Sequence, residues 1–176
     1  MRRTVWLGGL IGCFALGLGF GLGAKDMKYP GIDAVRGKPP RDAALAALAE
    51  AEVLAKQGTW ERLAIARVYY LKLDKARGQS IIDSVLSGKV KGTDFQRAGQ
   101  IYAEAGENSR AEELFTRALA IDPKDDTGQA EIGAWYIRTG RRDRGEDLLA
   151  VAFSKNPDEL WHYVRAAEAL SDLAPR

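Results

Sequence analysis

Residues 98–123, AGQIYAEAGENSRAEELFTRALAIDP, are answered by residues 132–157, IGAWYIRTGRRDRGEDLLAVAFSKNP. Gly99 returns as Gly133, Tyr102 as Tyr136, Ala111 as Gly145, Phe115 as Leu149, Ala118 as Ala152 and Pro123 as Pro157. The period is 34 residues (157 − 123), that of a helix-turn-helix unit that cannot bury its apolar face alone and must stack on copies of itself. Each glycine and the tyrosine three residues later share one face of a first helix. Phe115 with Ala118, and Leu149 with Ala152, share one face of a second. Small residues on both helices (Gly99 and Gly133, Ala111 and Gly145) let the two backbones approach, and the larger ones fill the rest of the seam. Gly106 and Gly140 suit the left-handed residue that ends the first helix, and Asp122-Pro123 and Asn156-Pro157 stop the second.

Shifting the register back by 33 places Ala66 and Tyr69 on an earlier first helix and Gly78, Ile82 and Val85 on its partner. This hairpin has Leu73 where the later two have a turn glycine. One step further back, Ala44, Leu48 and Ala51 carry the second-helix spacing alone. At the other end Tyr163, Ala166, Ala167 and Leu170 hold first-helix positions, so a lone terminal helix is expected to cover the last hairpin.

Over about residues 41–173 the pattern resembles the tetratricopeptide repeat (TPR) family. The resemblance implies an all-α fold, a TPR-like α-solenoid. Its expected parts are a half-repeat helix at 41–58, repeats at 59–91, 92–125 and 126–159, and a capping helix with its tail at 160–176. It also implies a groove lined by the first helix of each hairpin. Carried over by repeat position, the lining residues are Trp60, Leu63, Arg67, Tyr70 and Leu71 from the first repeat. The second gives Thr93, Gln96, Gln100, Ala103 and Glu104. The third gives Thr127, Ala130, Ala134, Ile137 and Arg138, and the last helix adds Trp161 and Val164. Family members that grip the carboxy-terminal acid of a chaperone use a fixed set of lysines, asparagines and arginine. Here those places hold Leu63, Arg67, Arg97, Thr127 and Glu131, which argues against that role.

The front of the chain is of another kind. Residues 4–24 carry no charge and follow Arg2 and Arg3. As a helix with a rise of ~1.5 Å per residue such a run spans a ~30 Å hydrocarbon core, and the basic residues ahead of it favour an amino terminus in the cytoplasm. Three readings stay open for residues 1–24: a retained transmembrane anchor, a signal peptide cleaved near Ala24, and a lipoprotein leader in which Leu10-Ile11-Gly12-Cys13 is the lipid-attachment motif. Gly8 with Gly12, and Gly17 with Gly21, have the spacing that packs membrane helices together, although glycine is frequent enough here for such matches to arise without a role. Residues 25–40 read as a polar linker. The repeat domain is expected outside the cytoplasm, anchored to the membrane or, after cleavage, soluble there.

Composition narrows the chemistry. The formal charge of +2 comes from 26 basic and 24 acidic residues. Removing Arg2 and Arg3 balances it, which disfavours nucleic acid as a partner. The one local cluster, Arg138, Arg141, Arg142 and Arg144, reads as a solvated edge with Asp143 and Glu146 interleaved. The single cysteine, Cys13, lies in the leader, so no thiolate metal site is expected in the repeats. His162 is the only histidine, and its place between Trp161 and Tyr163 suits packing better than general-base work. No catalytic group, cofactor, metal or small-molecule substrate is predicted. The expected function is a protein-binding adaptor or scaffold of an envelope complex. The alternative is a structural subunit that self-associates through the glycine-rich leader.

Overall fold

The computed structural model describes residues 29–173, and all regular structure among them is helical. A 3₁₀ turn (Gly31–Ala34) precedes α1 (Pro40–Ala55), α2 (Thr59–Val68), α3 (Lys75–Leu86), α4 (Gly92–Glu104), α5 (Asn108–Ile121), α6 (Asp126–Arg138), α7 (Arg142–Lys155) and α8 (Leu160–Leu170). The apolar leader, with Gly8, Gly12, Cys13, Gly17 and Gly21, lies outside the described residues. Among the described residues no helix is long and apolar enough to cross a membrane.

Three hairpins, α2 with α3, α4 with α5 and α6 with α7, follow one another; α1 packs on α2, and α8 on α6 and α7. The hairpins close where small residues meet. A Cβ on Gly133 would lie 2.8 Å from the Gly145 carbonyl oxygen, and one on Gly145 2.5 Å from that of Gly133. Gly78 meets the backbone of Tyr70 as closely, and Gly99 meets the ring of Phe115. Around these crossings runs a main core from Leu63, Ala66 and Tyr70 through Ile82, Phe95, Tyr102 and Phe115 to Trp135 and Tyr136. Smaller cores sit at the two ends, Leu48 and Ala55 with Ile65 and Tyr69, and Ala130 with Leu149 and Ala152. Buried apolar surface of this kind is the main stabilising term.

The turns show why glycine stands where it does. Gly106 and Gly140 have φ of +75° and +83°. The amides that follow them, Glu107 and Arg141, donate to the carbonyls of Tyr102 (2.8 Å) and Tyr136 (2.9 Å), five residues back. Leu73 cannot adopt that conformation cheaply. The chain instead widens into a π turn over Tyr69–Leu73. Asp74 then donates to the Tyr69 carbonyl at 2.9 Å, the same bond reached without a left-handed residue. Side chains start the next helices: Asp74 accepts from the Arg77 amide (3.0 Å), Asp94 from Lys91 (2.8 Å) and Asp125 from Gly128 (2.9 Å).

A polar device repeats beside the core. Tyr102 exchanges hydrogen bonds with Gln79 (2.8 and 3.0 Å), and the Tyr136 hydroxyl donates to Glu112 at 3.2 Å, each reaching the second helix of the preceding hairpin. Over each tyrosine lies the guanidinium eight residues later: Arg77 over Tyr69 (4.8 Å), Arg110 over Tyr102 (4.5 Å) and Arg144 over Tyr136 (4.4 Å). Arg77 pairs with Glu52 on α1 (2.7 Å), and Arg144 with Glu112 (3.2 Å). Each hairpin is thus clasped to the helix before it. The arginines of the last turn are therefore not a uniformly solvated edge. Arg142 is, with Glu146, but Arg141 and Arg144 both hold Glu112 and stack on Tyr136, and Arg138 is half-buried.

Candidate functional site

The first helices α2, α4, α6 and α8 are successive neighbours, and their shared face is where the resemblance puts a groove. The side chains on it divide by repeat position. Leu63, Tyr70, Gln96, Ala130 and Ala134 are buried and do not line an open face. The next first helix packs over these positions: Leu63 and Tyr70 join the main core, with the Tyr70 ring edge-on to Tyr102 at 5.4 Å, and Ala130 joins Ala166 of α8. Leu71, Ala103 and Ile137 are half-buried against the same cores. Small residues on α6 and α8 bring those two helices close together. His162, 1% exposed, lies inside the end core with its ring edge-on to Phe153 at 5.8 Å and its Nε2 3.5 Å from the Asp126 carboxylate.

The remaining predicted residues, together with the side-chain amide of the buried Gln96, are largely bound to neighbouring repeats. Arg67 makes a forked pair with Glu104 of the next first helix, both nitrogen contacts to Glu104 from Nε being 2.9 Å. Gln96 (2.6 Å) and Gln100 (2.8 Å) both donate to Glu131 on α6, which Arg165 of α8 approaches at 3.8 Å. Arg165 in turn holds Glu168 at 2.7 Å. The amides predicted to meet a peptide backbone therefore serve as crosslinks between repeats. Sequence spacing could not reveal this, because Glu131 lies 35 and 31 residues from its two donors, on the next first helix.

Two tryptophans are left in the open. Trp60 and Trp161 are 60% and 57% exposed. They are 101 residues apart (161 − 60), three repeat lengths, and so occupy the same position on the first and last first helices, where Thr93 and Thr127 stand between them. The guanidinium of Arg97 lies 3.9 Å over the Trp60 ring. Arg165 lies 5.8 Å over Trp161. Each tryptophan thus has a cation over one ring face while more than half of the residue stays exposed.

Where the turn of the first hairpin meets the end of α4, a cleft of about 450 Å³ is lined by Arg67, Tyr70, Leu71, Lys72, Lys75, Glu104 and Ala105. Its wall is an ionic cluster. Glu107 accepts from Lys75 and from the Tyr70 hydroxyl, both at 2.7 Å, and pairs with Arg110 at 3.2 Å. The Lys75 bond first, then those from Tyr70 and Arg110, pull the Glu107 carboxyl down to about 2. Glu112 is lowered by its bond to Arg141. At the other end of the face, burial lowers Arg138 from the ordinary arginine value, and the Glu168 carboxylate works against that shift. One Arg138 terminal nitrogen is buried without a hydrogen-bond partner among the described residues. The face is thus mostly neutralised inside, with the cationic groups Arg97, Lys72 and Arg138 around it.

The tetratricopeptide repeat family model matches residues 102–168, from Tyr102 on α4 to Glu168 on α8. Neither the curated proteins nor the solved structures gave a match. By sequence and by its stacked helical hairpins alike, the stretch from Tyr102 to Glu168 is similar to tetratricopeptide repeats, units that generally mediate protein–protein interaction.

Proposed function

We propose that this chain is a non-enzymatic adaptor that holds an extended protein segment along the face of α2, α4, α6 and α8, with Trp60 and Trp161 as its two anchors. The observation that carries the reading is the pair of exposed tryptophans in register at the two ends of an otherwise internally bonded face. Large aromatic rings held flat supply contact area at low entropic cost and dominate protein recognition sites. The Arg67–Glu104 and Glu131 bridges keep the first helices at fixed spacing, so the anchors are pre-positioned for a partner. The segment that fits carries two separated apolar or aromatic side chains and few basic ones, since unpaired cations border the face.

Selection of displayed random peptides on the purified full chain in detergent tests this. Sequences with two spaced apolar anchors should emerge. Trp60→Ala and Trp161→Ala should each weaken the selected peptides by roughly 10- to 30-fold, with helix content unchanged because both rings are exposed. Selected peptides that bind both variants like the parent protein refute the assignment.

The uncharged run at 4–24 behind Arg2 and Arg3 supports a location at a membrane with the repeats on its outer side, in the assembly of an envelope complex. The intact mass of the protein isolated from cells distinguishes the leader's fates. An unprocessed mass marks an anchor, a start near Lys25 a cleaved signal, and a diacylglyceryl adduct a lipoprotein at Cys13.

A further inference from the structure

The two ends of the described solenoid are halves of one hairpin. In α4 and α6 the seam facing the second helix is Phe95, Gly99 and Tyr102, and Gln129, Gly133 and Tyr136, all buried. The same positions in α8 are Tyr163, Ala167 and Leu170, and they are open: Tyr163 is 55% and Leu170 56% exposed, with Leu160 beside them at 65%. A polar outer face is what a terminal helix of a repeat stack needs; α8 covers the last hairpin but turns outward an apolar face with a small residue at its centre. At the other end α1 has the complementary defect. Ala44, Leu48 and Ala51 match the second-helix positions of Ala111, Phe115 and Ala118. Ala44 and Ala51 are only half-buried, and Ala47 is exposed where its counterpart Leu114 is buried.

We propose that copies of this chain join head to tail, α8 of one copy pairing with α1 of the next to complete a fourth hairpin across the junction. The occupant follows from register. Gly133 and Gly145 cross at the centre of the α6–α7 seam, and their equivalents at the open ends are Ala167 (133 + 34) and Ala44 (145 − 101). The alanines of α1 provide the hollows into which Tyr163 and Leu170 fit, as Tyr136 fits against α7. The step that lays α8 on α6 then lays α2 of the next copy on α8, adding a second helix to the contact. Such a contact is heterologous, so it propagates into an open series or closes as a ring. It uses the end faces and leaves Trp60, Trp161 and the bridged face free, and it stands whether or not that face binds a peptide.

Thiol crosslinking of the full chain in detergent tests it, in a Cys13→Ser background so that introduced cysteines are the only ones. With Ala44→Cys and Ala167→Cys together, oxidation should produce a reducible ladder of dimers, trimers and larger species, since the crossing positions bring Cα atoms within disulfide reach. Each single variant should stay monomeric on the same gel. Adding Tyr163→Glu and Leu170→Glu to the double variant should abolish the ladder while circular dichroism keeps the helix content. Dimers of equal yield from Ala167→Cys alone mean that two α8 helices meet about a two-fold axis, and that overturns the proposal. Absence of crosslinks, or a crosslinked monomer, overturns it too.

Discussion

Gly145→Ala sets two well-measured effects against each other, and the structure decides the sign. In a free helix alanine is favoured over glycine by about 1 kcal/mol. At the α6–α7 crossing the new methyl would sit 2.5 Å from the Gly133 carbonyl oxygen, 2.6 Å from Ile137 Cγ1 and 3.0 Å from the Ile137 nitrogen. Two of the three obstacles are backbone, so no rotamer change clears them. Restoring an ordinary contact of 3.4 Å parts the helices by about 0.9 Å (3.4 − 2.5). A gap of that size forfeits roughly a third of each ~0.1–0.2 kcal/mol pairwise well, and a buried leucine such as Leu149 makes roughly 40–60 of them. With half of those facing α6, Leu149 loses about 1 kcal/mol and Ile137 a similar amount, and the shift of the backbone adds to this within the ~1–3 kcal/mol typical of overpacking. Net of the propensity gain, the variant should be less stable by about 1.5 kcal/mol, a fall in melting temperature of about 3–6 °C. Gly88→Ala is the control: its methyl would meet only the Val85 oxygen at 3.4 Å, and it should stay within about 0.5 kcal/mol of the parent. Both are read by thermal unfolding followed at 222 nm. A Gly145→Ala protein that melts at or above the parent would refute the close crossing on which the hairpin rests.

Arg110→Ala should cost about 1 kcal/mol by urea unfolding, through the lost stack on Tyr102 and the lost pair with Glu107. Arg110→Lys should recover less than half, because an ammonium neither stacks nor bridges as a planar fork does; full rescue would mean that charge alone matters. Glu107 has its carboxyl depressed from 4.5 in the unfolded chain to about 2. Its contribution is therefore fully present above pH 4.5 and lost as pH falls towards 2. The parent melting temperature should drop through that window, and Glu107→Gln should flatten the drop; parallel profiles would remove the cluster from the account. Glu131→Ala should destabilise by roughly 1–3 kcal/mol, since the buried Gln96 amide loses its acceptor. Glu131→Gln, which keeps one acceptor oxygen, should cost less, and the order of the two in chemical unfolding checks the bridge.

The hairpins were legible because their signals are local and periodic. Glycine at 99 and 133, tyrosine three residues on, and proline at 123 and 157 each answer a demand of the backbone that few other residues meet. The first hairpin was fainter because Leu73 replaces the turn glycine, and only the wider π turn reconciles it with the same closing bond. The face was harder to read. A position that looks outward in an isolated helix becomes interior once the next first helix arrives, which is what happened to Leu63, Tyr70 and Ala134. Gln100 was assigned to a partner because nothing local points it at Glu131, 31 residues away. The tyrosine and arginine eight residues apart, at 69 and 77, 102 and 110, and 136 and 144, were present as a repeat all along. Their spacing alone does not reveal the stack, because arginine on a helix is ordinarily solvated.

The joints between neighbouring first helices are not alike. α6 and α8 meet through buried small apolar residues, with Ala166 of α8 packed against the core that holds Ala130 of α6. α4 and α6 are coupled on this side by Gln96 and Gln100, which both donate to one oxygen of the Glu131 carboxylate, while Arg165 of α8 lies 3.8 Å from the other. Water and salt compete with the second kind of joint and not with the first. Load applied along the stack would be carried at the α4–α6 joint by the hydrogen bonds to Glu131 together with the shared core, which keeps the two terminal tryptophans at a set separation.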